Sequence, residues 1–350
     1  MGFYRLFLAY LVVYSHAGTN VYGFNLGVVA VVSFLLLSGF VMSALIRKYY
    51  MSLSSIGYFY LDRFARIAPQ FYLYALLTLI GAVAFELRHP WMKFAPSTSR
   101  AVVQFSIIPL NIYPHADKLV PQAWSLGLEA TFYLIFPFIL LLRLRLLTAA
   151  VSFAIFLLAY TTVLNFDRWG YRLLPGTMFI FICGSWIEKS ENKYINCIPA
   201  FIAIIAAILL FISYYYSAIA LDNDYLETIR RSTLLGVVIG IPAVYILKYI
   251  DYSSRFESVA GDLSYGVFLN HILIIGIILT YSPLNSDDFK CFSGILLIGC
   301  VFMASTVLSY ASYKLVERPA LTSRRKLRVS NSGRAGTARA VSAIERSGVA

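Results

Sequence analysis

The sequence predicts an all-α integral membrane protein, a single-domain bundle of about ten transmembrane helices. Three observations carry that expectation. Of 350 residues, 59% are hydrophobic and only 13% are charged, where a soluble domain carries roughly 25% charged residues. Mean hydropathy is +0.73. Leu, Ile, Val and Phe arrive in blocks of about 17–25 residues, each long enough to cross about 30 Å of hydrocarbon as a helix.

The expected spans cover roughly 3–18, 25–46, 68–87, 125–142, 147–165, 173–188, 197–219, 232–249, 263–281 and 291–313. An amphipathic stretch from Tyr58 to Ile67 leads into the third. Met1 to Arg5 runs straight into apolar sequence without a small-residue cleavage motif, so the first block reads as a retained span rather than a removed signal peptide. Basic residues alternate with the connections. Arg47, Lys48, Arg63, Arg66, Arg143, Arg145, Lys189, Lys193, Lys248 and Arg255 fall on one side, together with Arg324, Arg325, Lys326 and Arg328. Lys and Arg concentrate on the cytoplasmic side of a membrane protein, so both termini are expected there, in agreement with an even number of spans, which puts the two termini on one side. Arg230 and Arg231 fall on the opposite side and weaken the bias without reversing it. Residues 321–350 are rich in Ser, Gly, Ala and Arg without apolar periodicity, and are expected to form a disordered basic cytoplasmic tail near the inner leaflet.

The net charge of +12 would suggest nucleic acid on a soluble protein. Here the basic residues sit between apolar blocks and in the tail, so they read as topology determinants and nucleic acid is not an expected partner. Cys183, Cys197, Cys291 and Cys300 show no C-x-x-C or Cys/His ligand spacing, so no metal site is expected. No internal repeat is visible, which argues against an inverted-repeat transporter.

Charged side chains at membrane depth cost a few kcal/mol on insertion scales, so each needs a reason. Arg5 and His16 are eleven residues apart, about 16.5 Å and three turns of helix, so they share a face. With Arg5 at the cytoplasmic interface, His16 falls in the outer half of the bilayer; an interfacial arginine and a boundary histidine would be the bland account. Arg63 and Arg66 project from one face three residues apart, a fork suited to phosphate, although membrane anchoring alone explains their side. Glu129 lies one turn inside a span with Ser125 and Tyr133 on its stripe, either lining a wet cavity or tethering a neighbouring helix. His271, mid-span, reads as a packing element, and Glu317 with Arg318 as a helix-terminal ion pair before Pro319. His89 and His115 lie in a long outer loop without usable pattern.

Together these segments resemble the acyltransferase-3 family over about residues 3 to 320. The motifs are Arg5 to His16, Ser38-Gly39-Phe40, Arg63 to Arg66, Trp124 to Tyr133 with Glu129, Ser264-Tyr265-Gly266 through His271, and Glu317-Arg318-Pro319. The resemblance implies transfer of an acyl group, usually acetyl, from cytoplasmic acyl-CoA (acetyl-CoA) to a hydroxyl of a saccharide or glycolipid on the far side of the inner membrane. Relatives that carry an extra hydrolase-like domain differ from this chain, where outer loops and bundle mouth are expected to recognise the acceptor. Arg63 and Arg66 are assigned to donor phosphate, with Arg47 and Lys48 as help, and Arg5 to the donor or to orienting the first span. His16 is the preferred catalytic group, either as general base or as acyl carrier, and Glu129 is assigned to orienting or supporting it. A transporter or flippase with charges lining a path, or a polysaccharide polymerase, is the competing reading.

Reporter fusions after Lys48, Tyr113 and Arg328 should report inside, outside and inside. An outside signal at Arg328 would require an odd number of spans.

Overall fold

The structure, a computed structural model, describes residues 1–17, 20–87, 98–112, 119–189, 194–220, 225–250, 254–281 and 292–320. The expected tail 321–350, His89, His115 and Cys291 lie outside the described residues. Backbone amides in hydrocarbon must be satisfied within their own segment, and these apolar blocks accordingly form helices. They are α1 (Gly2–His16), α2 (Leu26–Tyr49), α3 (Ile56–Ala84), a short α4 (Thr98–Phe105), α5 (Trp124–Leu141), α6 (Arg145–Tyr160), α7 (Leu174–Glu188), α8 (Ile198–Ala220), α9 (Tyr225–Tyr249), α10 (Arg255–Tyr281) and α11 (Phe292–Ser312). No β-strand forms among the described residues.

Every expected span coincides with a helix, but length divides them. Seven helices are long and apolar enough to cross a membrane among the described residues. The other three expected spans are α1 and α7 at 15 residues and α6 at 16, about 22–24 Å of helix. The expected count of about ten is therefore not carried by length and composition. Three helices also start earlier than expected. The stretch from Tyr58 to Ile67 is part of α3, which continues through Pro69 although that residue removes a backbone donor. α9 begins at Tyr225 because Glu227 pairs with Arg230 at 2.7 Å and Arg231 at 3.0 Å, one turn along. α10 begins at Arg255, before its apolar block.

α2 is the centre of the bundle, packed against α1, α5, α7 and α9. In its apolar window 78% of residues are buried, against 17% for the helix running from Ile195 to Tyr215 at the periphery. Glycines set the closest crossing. A Cβ at Gly39 of α2 would land on the Phe181 carbonyl oxygen of α7, and one at Gly184 of α7 on the Leu36 carbonyl oxygen. The two backbones therefore touch, as small residues allow in membrane bundles. α1 lies between α2 and α10, and a Cβ at Gly2 would strike the Glu257 carbonyl.

Gly184→Val should lower stability by about 1–3 kcal/mol, because a backbone carbonyl cannot rotate out of the way. Gly57→Ala, where nothing lies within 4 Å of the added carbon, should leave stability unchanged or raise it. Thermal unfolding of both variants in detergent checks the contrast.

Candidate functional site

One end of the bundle, where α1 and α10 begin and α2 ends, carries most of the buried charge; it is the near end here, and the opposite end is the far end. A cavity of about 530 Å³ enters the protein there. Arg5, Lys48, Arg63 and Arg66 line it together with Glu129 and Asp262, so four basic residues face two acidic ones. Val31, Phe34 and Leu35 of α2 and Phe268 of α10 supply its apolar wall.

α3 brings both of its arginines to this cavity, but they turn apart. Arg63, 6% exposed, pairs with Asp62, rests its Nη1 at 3.5 Å from the Met42 sulfur and faces the Tyr133 ring at 5.8 Å. Arg66 pairs with Glu317, lies 3.6 Å from Asp262 and faces the Tyr265 ring at 5.6 Å. Glu317 thus reaches Arg66 across the bundle, where the sequence suggested a local pair with Arg318. α1 contributes Arg5, which sits in the combined field of Arg66, Glu129, Tyr133 and Arg63.

Glu129 accepts hydrogen bonds from Ser38 Oγ at 2.7 Å and from the Tyr133 hydroxyl. Ser125 lines the same cavity and donates to the Gln122 carbonyl at 3.3 Å. The expected stripe on α5 is therefore real, and it faces the arginine-lined cavity. Its carboxylate keeps company with Arg5 and two hydroxyls, whereas its assigned task was to support His16.

His16 is not among the residues lining the cavity. At the C-terminal end of α1, its Nδ1 donates to the Val12 carbonyl at 2.8 Å. A carbonyl can only accept, so Nδ1 carries a proton, and in the neutral form of the ring the lone pair is on Nε2. The His16 ring stands 5.0 Å from that of His271, centre to centre, tilted by 55°. His271 is fully buried and 6.2 Å from the ring of Phe268, which lines the cavity. The histidines therefore lie beyond the cavity wall, toward the far end.

The far end is built from Trp124 and the turn Phe166–Arg172. Arg172 stacks 4.7 Å over the Trp124 ring and binds Asp167 at 2.9 Å, and its charge is felt at His16. Burial works against the Arg172 charge, yet Asp167 and the neighbouring tyrosine hydroxyls more than offset it and hold the pKa above its ordinary value. Sequence reading missed Arg172, Asp262 and the Ser38 hydroxyl as site residues. Ser38 carried a usable signal, a polar residue in an otherwise apolar block; Asp262 and Arg172 carried none, because their importance lies in which helix they meet.

Residues 3–314 match a family model described as an acyltransferase domain. An uncharacterized protein of Aquifex aeolicus is 31% identical over 56% of this chain and 84% of its own length. A peptidoglycan O-acetyltransferase of Listeria monocytogenes is 24% identical over 84% of this chain, which spans about half (51%) of that relative's length. No solved structure matches the chain.

Arg66→Ala would leave Glu317, 2% exposed, without its cation and should cost about 3–5 kcal/mol of stability. Adding Glu317→Gln to it should recover much of that loss, because the uncompensated carboxylate is then gone. A double-mutant cycle read by thermal unfolding measures the coupling.

Proposed function

The chain belongs to the acyltransferase-3 family of membrane O-acyltransferases, and from that premise we propose that it moves an acetyl group from cytoplasmic acetyl-CoA to a hydroxyl of a saccharide or glycolipid across the inner membrane. The observation that carries this reading is a cavity with four basic residues at the near end and an apolar wall leading inward. Guanidinium groups suit the phosphates of the donor, since they stay charged and donate paired hydrogen bonds. A volume of about 530 Å³ is in the ordinary range for small-molecule sites, about 300–1,000 Å³. It suits the acyl-pantetheine arm with the nucleotide toward the mouth. On donor binding, Arg66 exchanges part of its contact with Glu317 and Asp262 for phosphate. Glu129 offsets part of the cationic field and holds the Ser38 and Tyr133 hydroxyls at the wall.

Near and far ends are, on this reading, cytoplasmic and external. Ten crossings follow if α1, α6 and α7 also span. In α7 nearly every residue is buried, so it is screened from lipid and need not match the hydrocarbon thickness. The Listeria relative's name supports acetyl as the group and a glycan hydroxyl as the acceptor.

The chemistry assigned to His16 follows from its tautomer. The acceptor oxygen bonds to the thioester carbonyl carbon and the carbon–sulfur bond breaks. The hydroxyl proton passes to His16 Nε2 and then to the CoA thiolate, which leaves as the thiol. The Nδ1 bond to the Val12 carbonyl keeps Nε2 the basic atom. In the carrier variant the same Nε2 attacks the thioester first and passes the acyl group on.

His16→Ala should lower acetyl transfer by about 10²–10⁴-fold at matched protein level, with acetyl-CoA binding within twofold of wild type. Transfer within threefold of wild type would remove His16 from the chemistry. Labelled acetyl retained on wild-type protein without acceptor, and lost in His16→Ala, selects the carrier route; no retention selects direct transfer.

A further inference from the structure

α1 and α10 run in the same direction, from the Gly2 contact with the Glu257 carbonyl at the near end to the meeting of His16 and His271 toward the far end. Gly2 and Gly261 let the two backbones touch at the near end, and because the helices run in parallel from that contact, His271 on α10 comes level with His16 on α1. Both rings are pinned in the same way. His16 Nδ1 donates to Val12, and His271 Nδ1 donates to the Val267 carbonyl at 3.3 Å, each one turn back on its own helix. In their neutral forms both rings therefore present Nε2 as the basic atom. His271 is fully buried and touches both neighbours, the His16 ring at 5.0 Å and Phe268 of the cavity wall at 6.2 Å.

We infer that His271 is the positioning partner of His16: its ring fixes the His16 imidazole and disperses the positive charge formed when His16 takes the acceptor's hydroxyl proton. The inference rests on the proposed role of His16. The bond changes are those given above, with the proton ending on the CoA thiolate, and His271 neither gains nor loses an atom in the cycle. Arg172, ahead of α7, supplies a charge that reaches His16; Gln122, ahead of α5, ties its amide to the Leu269 carbonyl at 2.7 Å and steadies α10 two residues before His271. On this inference protonating one ring opposes protonating the other, so the two take up protons in separate steps.

The test uses the full chain in lipid nanodiscs, as wild type, His271→Gln and His271→Phe. The chain has four histidines, so ¹⁵N-histidine NMR follows them individually, with His16→Gln to assign the His16 signals. The expected result is that His16 and His271 protonate in two separated steps in wild type. In both His271 variants His16 should titrate in a single step with a moved midpoint. Acetyl transfer per folded molecule should fall about 10–100-fold in both variants, with the pH–rate profile moved and the KM for acetyl-CoA within twofold. An unmoved His16 titration overturns the pairing, and so does a kcat within threefold of wild type with an unchanged profile. A merely structural histidine would lower the folded fraction and leave these readouts alone. Absence of acetyl transfer in wild type would overturn the proposed function, while the NMR titration still decides the pair.

Discussion

A guanidinium among transmembrane helices is tolerated only where carboxylates, aromatic faces or water replace bulk solvent. Arg66 meets that constraint by joining three segments. It leaves α3 to reach Asp262 on α10 and Glu317 just after α11, with the Tyr265 ring beneath it. Arg63, one turn earlier, turns toward α2 and α5 through Met42 and Tyr133. Two arginines that share a helix face thus tie opposite halves of the near end together, and the cavity between them inherits their charge. Polar contacts reinforce the α3–α10–α11 side further along the helices, where the Tyr74 hydroxyl meets Ser312 at 2.6 Å and Asn270 donates to the Ser305 carbonyl at 2.9 Å.

The backbone contact between α2 and α7 sets where the polar atoms of that cavity fall. Gly39 and Gly184 press each helix onto the other's carbonyls, which fixes the depth and rotation of α2. Ser38, adjacent to Gly39, then points to Glu129 on α5. A looser crossing would move Ser38 along or around its helix, and the carboxylate would lose one of its two donors. Packing of apolar helices and the placement of the acidic group are in this sense one problem.

The division of the molecule into a charged chamber and a pair of imidazoles past Phe268 suits a reaction whose two substrates arrive from opposite faces, as proposed. Phosphate recognition needs permanent charge, which the near end supplies in arginine. Proton transfer needs a group that changes charge near neutrality, which imidazole provides. Separating the two keeps the basic nitrogen of His16 away from the arginine cluster, whose field would oppose its protonation.

Composition and block length determined the helical membrane class and put a helix at every expected block, seven of them long and apolar enough to cross a membrane among the described residues, because apolar backbone in lipid has no other way to satisfy its amides. Spacing along one helix was equally legible: it put Arg63 beside Arg66 and Tyr133 beside Glu129, since a turn of helix is the same in any fold. Helix ends were less legible. At α9, Glu227, Arg230 and Arg231 depress local hydropathy although their pairing keeps them helical. What only the tertiary structure decided is partnership between helices: Glu317 with Arg66 rather than Arg318, Ser38 with Glu129, His271 with His16. Those meetings depend on how far each helix is rotated and how closely glycines let it approach its neighbour, and neither quantity is written in the spacing of residues along one chain segment.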